Sequence, residues 1–351
     1  MSIQKQDFGI TPKGQAASLY TITNGDGTSV SLSDFGARIV SIVVPDKNGV
    51  LGDVALGYKD AQAYTQQGRY CGAICGRFAN RLRAARFCLD KTEYTLAKND
   101  GNNTLHGGKE GYDMKLWHAS PSPNGDAITF NLLSPDGEEG YPGNLMMTVV
   151  YTFTSNHALS IEYKAVSDKE TIINLTNHAY FNLQGHNMGV VENHLMQINA
   201  SFFTPIDEEI LPTGEIRPVE GTAFDFKKPT AIGLRADDAD VQLQRAGGYD
   251  HNFVLDKTGR DALECAAVVT EPKTGRIMEV YTTKPGIQLY GGNFMKDFEG
   301  KDGATYNYRE GFCLETQYFP NSVDVTHFPT PVVLAGQMYL HTTEYRFSTV
   351  K

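Results

Sequence analysis

The chain has 351 residues, 35 of them glycine, with 11% aromatic residues and a formal net charge of −10. That length is enough to bury a large core, and a net-negative field repels phosphate backbones and anionic headgroups, so neither nucleic acid nor a membrane is an expected partner. No apolar run approaches the ~20 residues that span a bilayer, Met1–Gln15 lacks the apolar centre of a secretory signal, and five sparse cysteines (71, 75, 88, 265, 313) suit reduced thiols in the cytoplasm.

Frequent Thr, Val, Tyr, Phe and Gly favour strands separated by turns. In chain order, strand-length runs occur at Val30–Phe35, Arg38–Val44, Ala127–Leu133 and Met146–Thr154. Leu159–Val166 follows after Ser155-Asn156-His157, which reads as a hairpin connection. Later runs are Ile172–Thr176, Leu195–Phe203, Ala266–Thr270, Arg276–Thr282, Ile287–Tyr290 and Phe312–Gln317. Helical spacing is best at Thr230–Gln244, where Ile232, Leu234 and Val241 suit a short helix or helical turn. There is no βαβ alternation, so a doubly wound parallel sheet is not expected. The expected fold is all-β, a large antiparallel β-sandwich. No linker, repeat or low-complexity block divides it, which predicts a single domain over 1–351.

Several chemistries leave no motif. The chain has no GxxxxGK[ST] phosphate loop, no GxGxxG after a strand, no HExxH and no GxSxG. Cys71 and Cys75 lack a second ligand pair at zinc spacing, so they read as structural thiols.

What remains is polar residues set among glycines and aromatics. Asn80-Arg81 ends Gly76-Arg77-Phe78-Ala79-Asn80-Arg81, and His106 precedes Gly107-Gly108. Asp250 follows Gly247-Gly248-Tyr249, Gln288 precedes Leu289-Tyr290-Gly291, and Glu315 interrupts Phe312-Cys313-Leu314. Each also has an ordinary reading: a turn residue, a loop histidine, an Asx turn, a solvent-facing strand position. Glu315 needs partners if it points inward, because a buried ionised carboxylate is costly. His178 has the strongest isolated case. Asn174, Thr176, Asn177 and Asn182 surround it within a segment whose Ile172, Ile173, Leu175, Tyr180 and Phe181 belong inside, and buried polar clusters must be satisfied or functional.

Phe35-Gly36-Ala37, Gly76–Arg81, Thr104–Gly108, Gly140–Asn144, Thr176–Asn182, Thr222–Phe226, Gly248–His251, Tyr281–Asn293 and Leu314–Pro320 occur in an order that resembles the galactose mutarotase (aldose 1-epimerase) family over nearly the whole chain. The resemblance implies a β-sandwich with a sugar in an open cleft, where the α and β anomers of a free hexose, galactose or glucose, interconvert without cofactor or metal. It implies Glu315 as catalytic base and His178 as acid. Asn80, Arg81, His106, Asp250 and Gln288 fall on sugar-binding positions, and Tyr180 borders the sugar. The implied partner is a small-molecule hexose, and the implied assembly a monomer or homodimer. A bell-shaped pH–rate profile is expected, with the acid limb set by Glu315 and the alkaline limb by His178. Two rivals share the scaffold: a hexose-6-phosphate epimerase, which needs further cations near C6, and a non-catalytic carbohydrate-binding protein. A glycoside hydrolase would need two carboxylates, which Glu315 and Asp250 could imitate.

Overall fold

Antiparallel strands dominate the computed structural model, which describes residues 1–66 and 68–350. The largest sheet has nine strands. Across it run His118–Pro121, Ala127–Ser134, Leu145–Phe153, Ala158–Ser167, Met338–Thr349, Arg276–Thr282, Glu264–Thr270, Leu195–Ile198 and Thr230–Ala231. Its central strands bury every second residue, the signature of a sheet with one covered face. Met147, Val149, Tyr151, Ile161 and Tyr163 supply that face. The hairpin through Ser155-Asn156-His157 forms as expected, closed by the Thr154 amide on Ala158 O at 2.9 Å.

A second sheet of six strands carries, in order, Tyr180–Phe181, Phe312–Gln317, Gly286–Tyr290, Asp250–Leu255, Ala200–Thr204 and Arg217–Pro218. It packs against the first through Phe181 and Tyr345, whose ring centroids lie 5.0 Å apart, and through the Thr316 and Thr343 hydroxyls at 2.5 Å. A third sheet, Ser2–Ile10, Ala16–Thr23, Ser29–Ser33, Arg38–Pro45 and Leu51–Asp53, closes the N-terminal side. The buried Tyr151 hydroxyl donates to Ala37 O at 2.7 Å across that junction. Inward residues of all three sheets, from Tyr20 to Phe347, form one apolar cluster. Among the described residues no helix is long and apolar enough to cross a membrane.

Some expected elements differ. Leu195–Phe203 is two strands, Leu195–Ile198 in the nine-stranded sheet and Ala200–Thr204 in the six-stranded one. Asn199 makes the switch: its amide and side chain donate to Ala266 O (2.8 Å) and Cys265 O (2.9 Å), while its carbonyl accepts at 2.9 Å from Asp256, just past the end of Asp250–Leu255 in the other sheet. Ile172–Thr176 is not one strand: its ends pair at Thr171–Ile172 and Thr176–Asn177, and Asn174 between them makes an isolated bridge to Phe78. Thr230–Gln244 breaks into a two-residue strand, a 3₁₀ turn at Ile232–Leu234 and a helix at Val241–Ala246. Asp240 caps that helix by accepting from the Gln242 amide, and Gly247 ends it at φ +65°.

Candidate active site

The site grows from strand alternation. In Phe312–Gln317 the side chains of Phe312, Leu314 and Thr316 turn to the core, which leaves Cys313, Glu315 and Gln317 on the other face. Register then builds two rows across the sheet. Tyr180, Cys313, Tyr290 and Asp250 form one; Glu315, Gln288 and Asn252 form the next. The second row is bound together by amides: Gln288 donates to Asp250 Oδ1 at 2.7 Å, and Gln317 donates to Gln288 Oε1 at 3.1 Å and to Asn252 Oδ1 at 3.3 Å.

His178 hangs over this face from the connection between Thr176–Asn177 and Tyr180–Phe181. Its amide donates to Ala73 O and its carbonyl accepts from Gly72, both at 2.9 Å. The ring lies near-parallel to those of Tyr180 (5.1 Å, 18°) and Tyr70 (6.1 Å, 16°), with Nε2 3.7 Å from Glu315 Oε1. The surrounding asparagines are scaffold. Asn174 bonds Ala79 and Tyr318 backbone, Asn177 reaches Gly72 O and Tyr151, and Asn182 holds Gly189 and Glu310 carbonyls.

Asn80, Arg81 and His106 arrive together from two loops joined by the pairing of Arg81–Leu82 with Thr104–Leu105. Asn80 (φ +64°) and His106 (φ +50°) both adopt left-handed backbone, which costs a non-glycine residue ~1 kcal/mol or more. Reciprocal bonds hold them there: the Asn80 amide donates to His106 Nδ1 at 3.1 Å and the His106 amide donates to Asn80 O at 3.0 Å. Gly107 is required beside them, because a Cβ there would lie 1.8 Å from Gly76 O. Arg81 Nε donates to Asp100 Oδ2 at 2.7 Å, and its Nη1 lies 3.8 Å from Asp250 Oδ2. Thus all eight residues expected from the sequence lie in one neighbourhood, directly or through one of the others. Tyr70, Tyr290, Cys313, Asn252 and Gln317 join them without a sequence signal of their own; for Cys313 and Gln317 the i±2 spacing from Glu315 was available.

Burial governs the electrostatics. Glu315 is 2% exposed, and Oε2 has no hydrogen-bond partner. Desolvation, reinforced by the charge of Asp250 and opposed by Arg81, pushes its carboxyl well above the usual range. Desolvation brings His178 down to about 4. His106 is also held well below its ordinary value, by burial and then by His178, Arg81 and Arg69. Burial raises Asp250, against the pull of Arg81. Both shifts run against the expected assignment of the limbs, because burial favours the neutral form of each group: the neutral imidazole of His178 and the protonated carboxyl of Glu315.

Donor atoms of His106, His178 and Glu315 lie within 4.8 Å of one another, as in a metal site. The tautomer argues against that use. The Nδ1 lone pair of His106 takes the Asn80 amide hydrogen, so in the neutral ring Nε2 carries hydrogen and neither nitrogen has a free lone pair. His106 is built to donate from Nε2.

Several known proteins are similar to this chain over nearly its whole length. The aldose 1-epimerase family model matches residues 18–346. A galactose mutarotase from Sus scrofa is 43% identical over 349 residues, covering 99% of each chain. An aldose 1-epimerase from Escherichia coli (strain K12) is 36% identical over 340 residues, covering 96% of this chain and 97% of the relative. The crystal structure of galactose 1-epimerase from Lactobacillus acidophilus NCFM superposes with a TM-score of 0.86 at 28% identity, covering 100% of both chains. A match that runs from the second strand to near the end of the last one, over a sheet architecture shared with a solved epimerase, shows that the chain belongs to the aldose 1-epimerase family.

Proposed function

We propose that the chain interconverts the α and β anomers of neutral free hexoses, galactose and glucose among them, with Glu315 and His178 as the proton-transfer pair. The observation that carries this reading is the 3.7 Å approach of His178 Nε2 to Glu315 Oε1, with Gln288 in register beside Glu315. In ring opening, Glu315 takes the proton of the C1 hydroxyl while His178 protonates the ring oxygen; the C1–O5 bond breaks and an aldehyde forms. After rotation about C1–C2 the same groups return the protons in the opposite sense, so the pair begins and ends with one shared proton. Two positioned acid–base groups contribute ~10²–10⁴-fold each.

The free site favours the other placement of that proton, on Glu315. The unpartnered Glu315 Oε2 offers the remedy. A C1 hydroxyl donating there stabilises the carboxylate, so sugar binding itself shifts the proton toward His178. Asn80, Arg81, His106, Asp250 and Gln288 then hold the hydroxyls, and Tyr180 walls the ring. Support for a neutral sugar comes from charge pairing. Arg81 is matched by Asp100 and Asp250, and Arg69, beside Tyr70, is matched through two nitrogens by Asp113. Neither cation is left over for a phosphate. All these residues come from one chain, so a monomer or homodimer serves equally, and the shared apolar cluster supports a single domain. Five free cysteines suit the cytoplasm.

Polarimetry of freshly dissolved α-galactose and α-glucose, each beside its 6-phosphate, tests the reading. Faster anomerisation of the neutral sugars is expected. Equal or faster turnover of the phosphates would overturn the substrate class.

A further inference from the structure

Stacking fixes the plane of the His178 ring but not its direction. Tyr180 and Tyr70 lie near-parallel to it, at 18° and 16°, and Tyr290 meets it edge-on at 6.4 Å. A half-turn about χ2 keeps all three contacts. It also exchanges Nδ1 with Cδ2 and Nε2 with Cε1, which takes Nε2 away from Glu315. Besides the approach of Nε2 to Glu315, the observed orientation places Cys313 Sγ 3.5 Å from His178 Nδ1. Cys313 is fully buried, stands two residues before Glu315, and is the register partner of both Tyr180 and Tyr290. A single strand therefore brackets the imidazole, with a thiol at one nitrogen and a carboxylate at the other.

We propose that Cys313 is a positioning residue for His178, its sulfur accepting from Nδ1–H and so reserving Nε2 for the proton that moves. The proposal rests on the roles given to His178 and Glu315 above. A histidine that gives and regains a proton at Nε2 must keep its second hydrogen on Nδ1 throughout. Without an acceptor there, the neutral ring is free to adopt the Nε2–H tautomer, which cannot take a proton at that atom. Sulfur suits the position because it is a weak, uncharged acceptor. A carboxylate at Nδ1 would add a third negative group beside Glu315 and Asp250 and hold the ring as imidazolium. Burial and the neighbouring Glu315 keep the thiol protonated, which separates this role from that of a nucleophile. The titratable groups facing the ring are Glu315, Cys313, His106, Tyr70, Tyr180 and Tyr290, with Asp250 and Arg81 acting through Glu315.

The test pairs kinetics with nitrogen NMR of histidine-labelled protein. In Cys313→Ala, kcat should fall about tenfold while KM stays within about twofold. The His178 signals should change from the pure Nδ1–H tautomer to a mixture. Cys313→Ser, which keeps an acceptor, should recover the single tautomer and most of kcat. Cys75→Ala, which removes an equally buried thiol, should change neither. An unchanged tautomer in Cys313→Ala overturns the proposal, whether or not kcat falls, since packing alone would then explain the loss. If Cys313→Ala does not fold, Cys313→Val is read by the same criterion. Glu315→Gln measured alongside separates the two levels. If it turns over normally, the parent reading fails; if it is inactive while Cys313→Ala is normal in both readouts, only the role of Cys313 fails.

Discussion

Gln288 and Glu315 are partners in register on adjacent strands, yet the Gln288 amide turns to Asp250 Oδ1 at 2.7 Å and leaves Glu315 Oε2 with no partner. An unsatisfied buried acceptor costs ~1–3 kcal/mol. On the proposed role of Glu315, the cost falls at a carboxylate oxygen that a sugar hydroxyl would relieve, and it disfavours the ionised base in the free protein.

Glu315→Gln should therefore separate activity from stability. Turnover should fall by at least ~10²-fold with sugar binding retained. Because burial holds the folded carboxyl well above the ordinary glutamate value of 4.5, the native state keeps a proton that the unfolded chain releases, and stability declines as pH rises from 4.5 through the native value. Glutamine removes that loss. Thermal unfolding at pH 7 should rise by about 2 °C or more, with little change near pH 4. Wild-type turnover in this variant would remove Glu315 from the mechanism.

The kcat/KM profile should be bell-shaped, reporting the free pair as two macroscopic values. The acid limb lies near the His178 value of about 4, and the alkaline limb follows the raised Glu315. Asp250 raises Glu315 and Arg81 lowers it. Asp250→Asn should accordingly move the alkaline limb to lower pH, and Arg81→Gln should move it to higher pH. Movement of both limbs in the same direction in the two variants would contradict this origin.

Arg77 ties the Asn80–Arg81 segment to the nine-stranded sheet. Buried to 2% exposure, it donates to Pro142 O (2.6 Å), Gly143 O (3.0 Å), Ser134 Oγ (2.7 Å) and the Tyr112 hydroxyl (3.2 Å). Arg77→Met should cost at least about 3 kcal/mol, because it strands several buried acceptors at once. Denaturant midpoints measure this; a loss below 1 kcal/mol would show that the carbonyls find other donors.

Gly286 faces Gln317 in register, and a Cβ there would lie 2.6 Å from Asn252 Oδ1 and 2.9 Å from the Phe319 ring. Gly286→Ala should destabilise the protein by about 1–3 kcal/mol. It should also raise KM, since Asn252 and Gln317 support Gln288. Calorimetry and initial rates check the two effects separately, and unchanged values in both would refute the close approach.

Strand alternation made much of this legible. Glu315 in an apolar run posed the question of an inward carboxylate, which the structure answers by burying it, and the hairpin at Ser155-Asn156-His157 formed as read. Ser2–Ile10 escaped notice because most of its residues face solvent and show no apolar period. Met338–Thr349 was hidden differently: Met338 and Leu340 are exposed while Tyr339 and His341 are buried, so its start is not divided by polarity. Asn199 broke an apparently continuous strand through hydrogen bonds to one sheet and to the residue just past a strand of the other, a tertiary fact with no local signature. Tyr70 reaches the site through the fold of its loop, and only the resemblance singled out Asp250 and Gln288 from ordinary turn and strand residues.

The reciprocal bonds between Asn80 and His106 have a consequence for proton traffic. Protonating His106 at Nδ1 would set one N–H against another at 3.1 Å, so the ring remains neutral across the working range. His178, with its ring 5.1 Å away, thus titrates beside a neighbour of constant charge. Of two adjacent imidazoles only one is free to carry charge, which would make the proposed site a one-proton device with a fixed spectator.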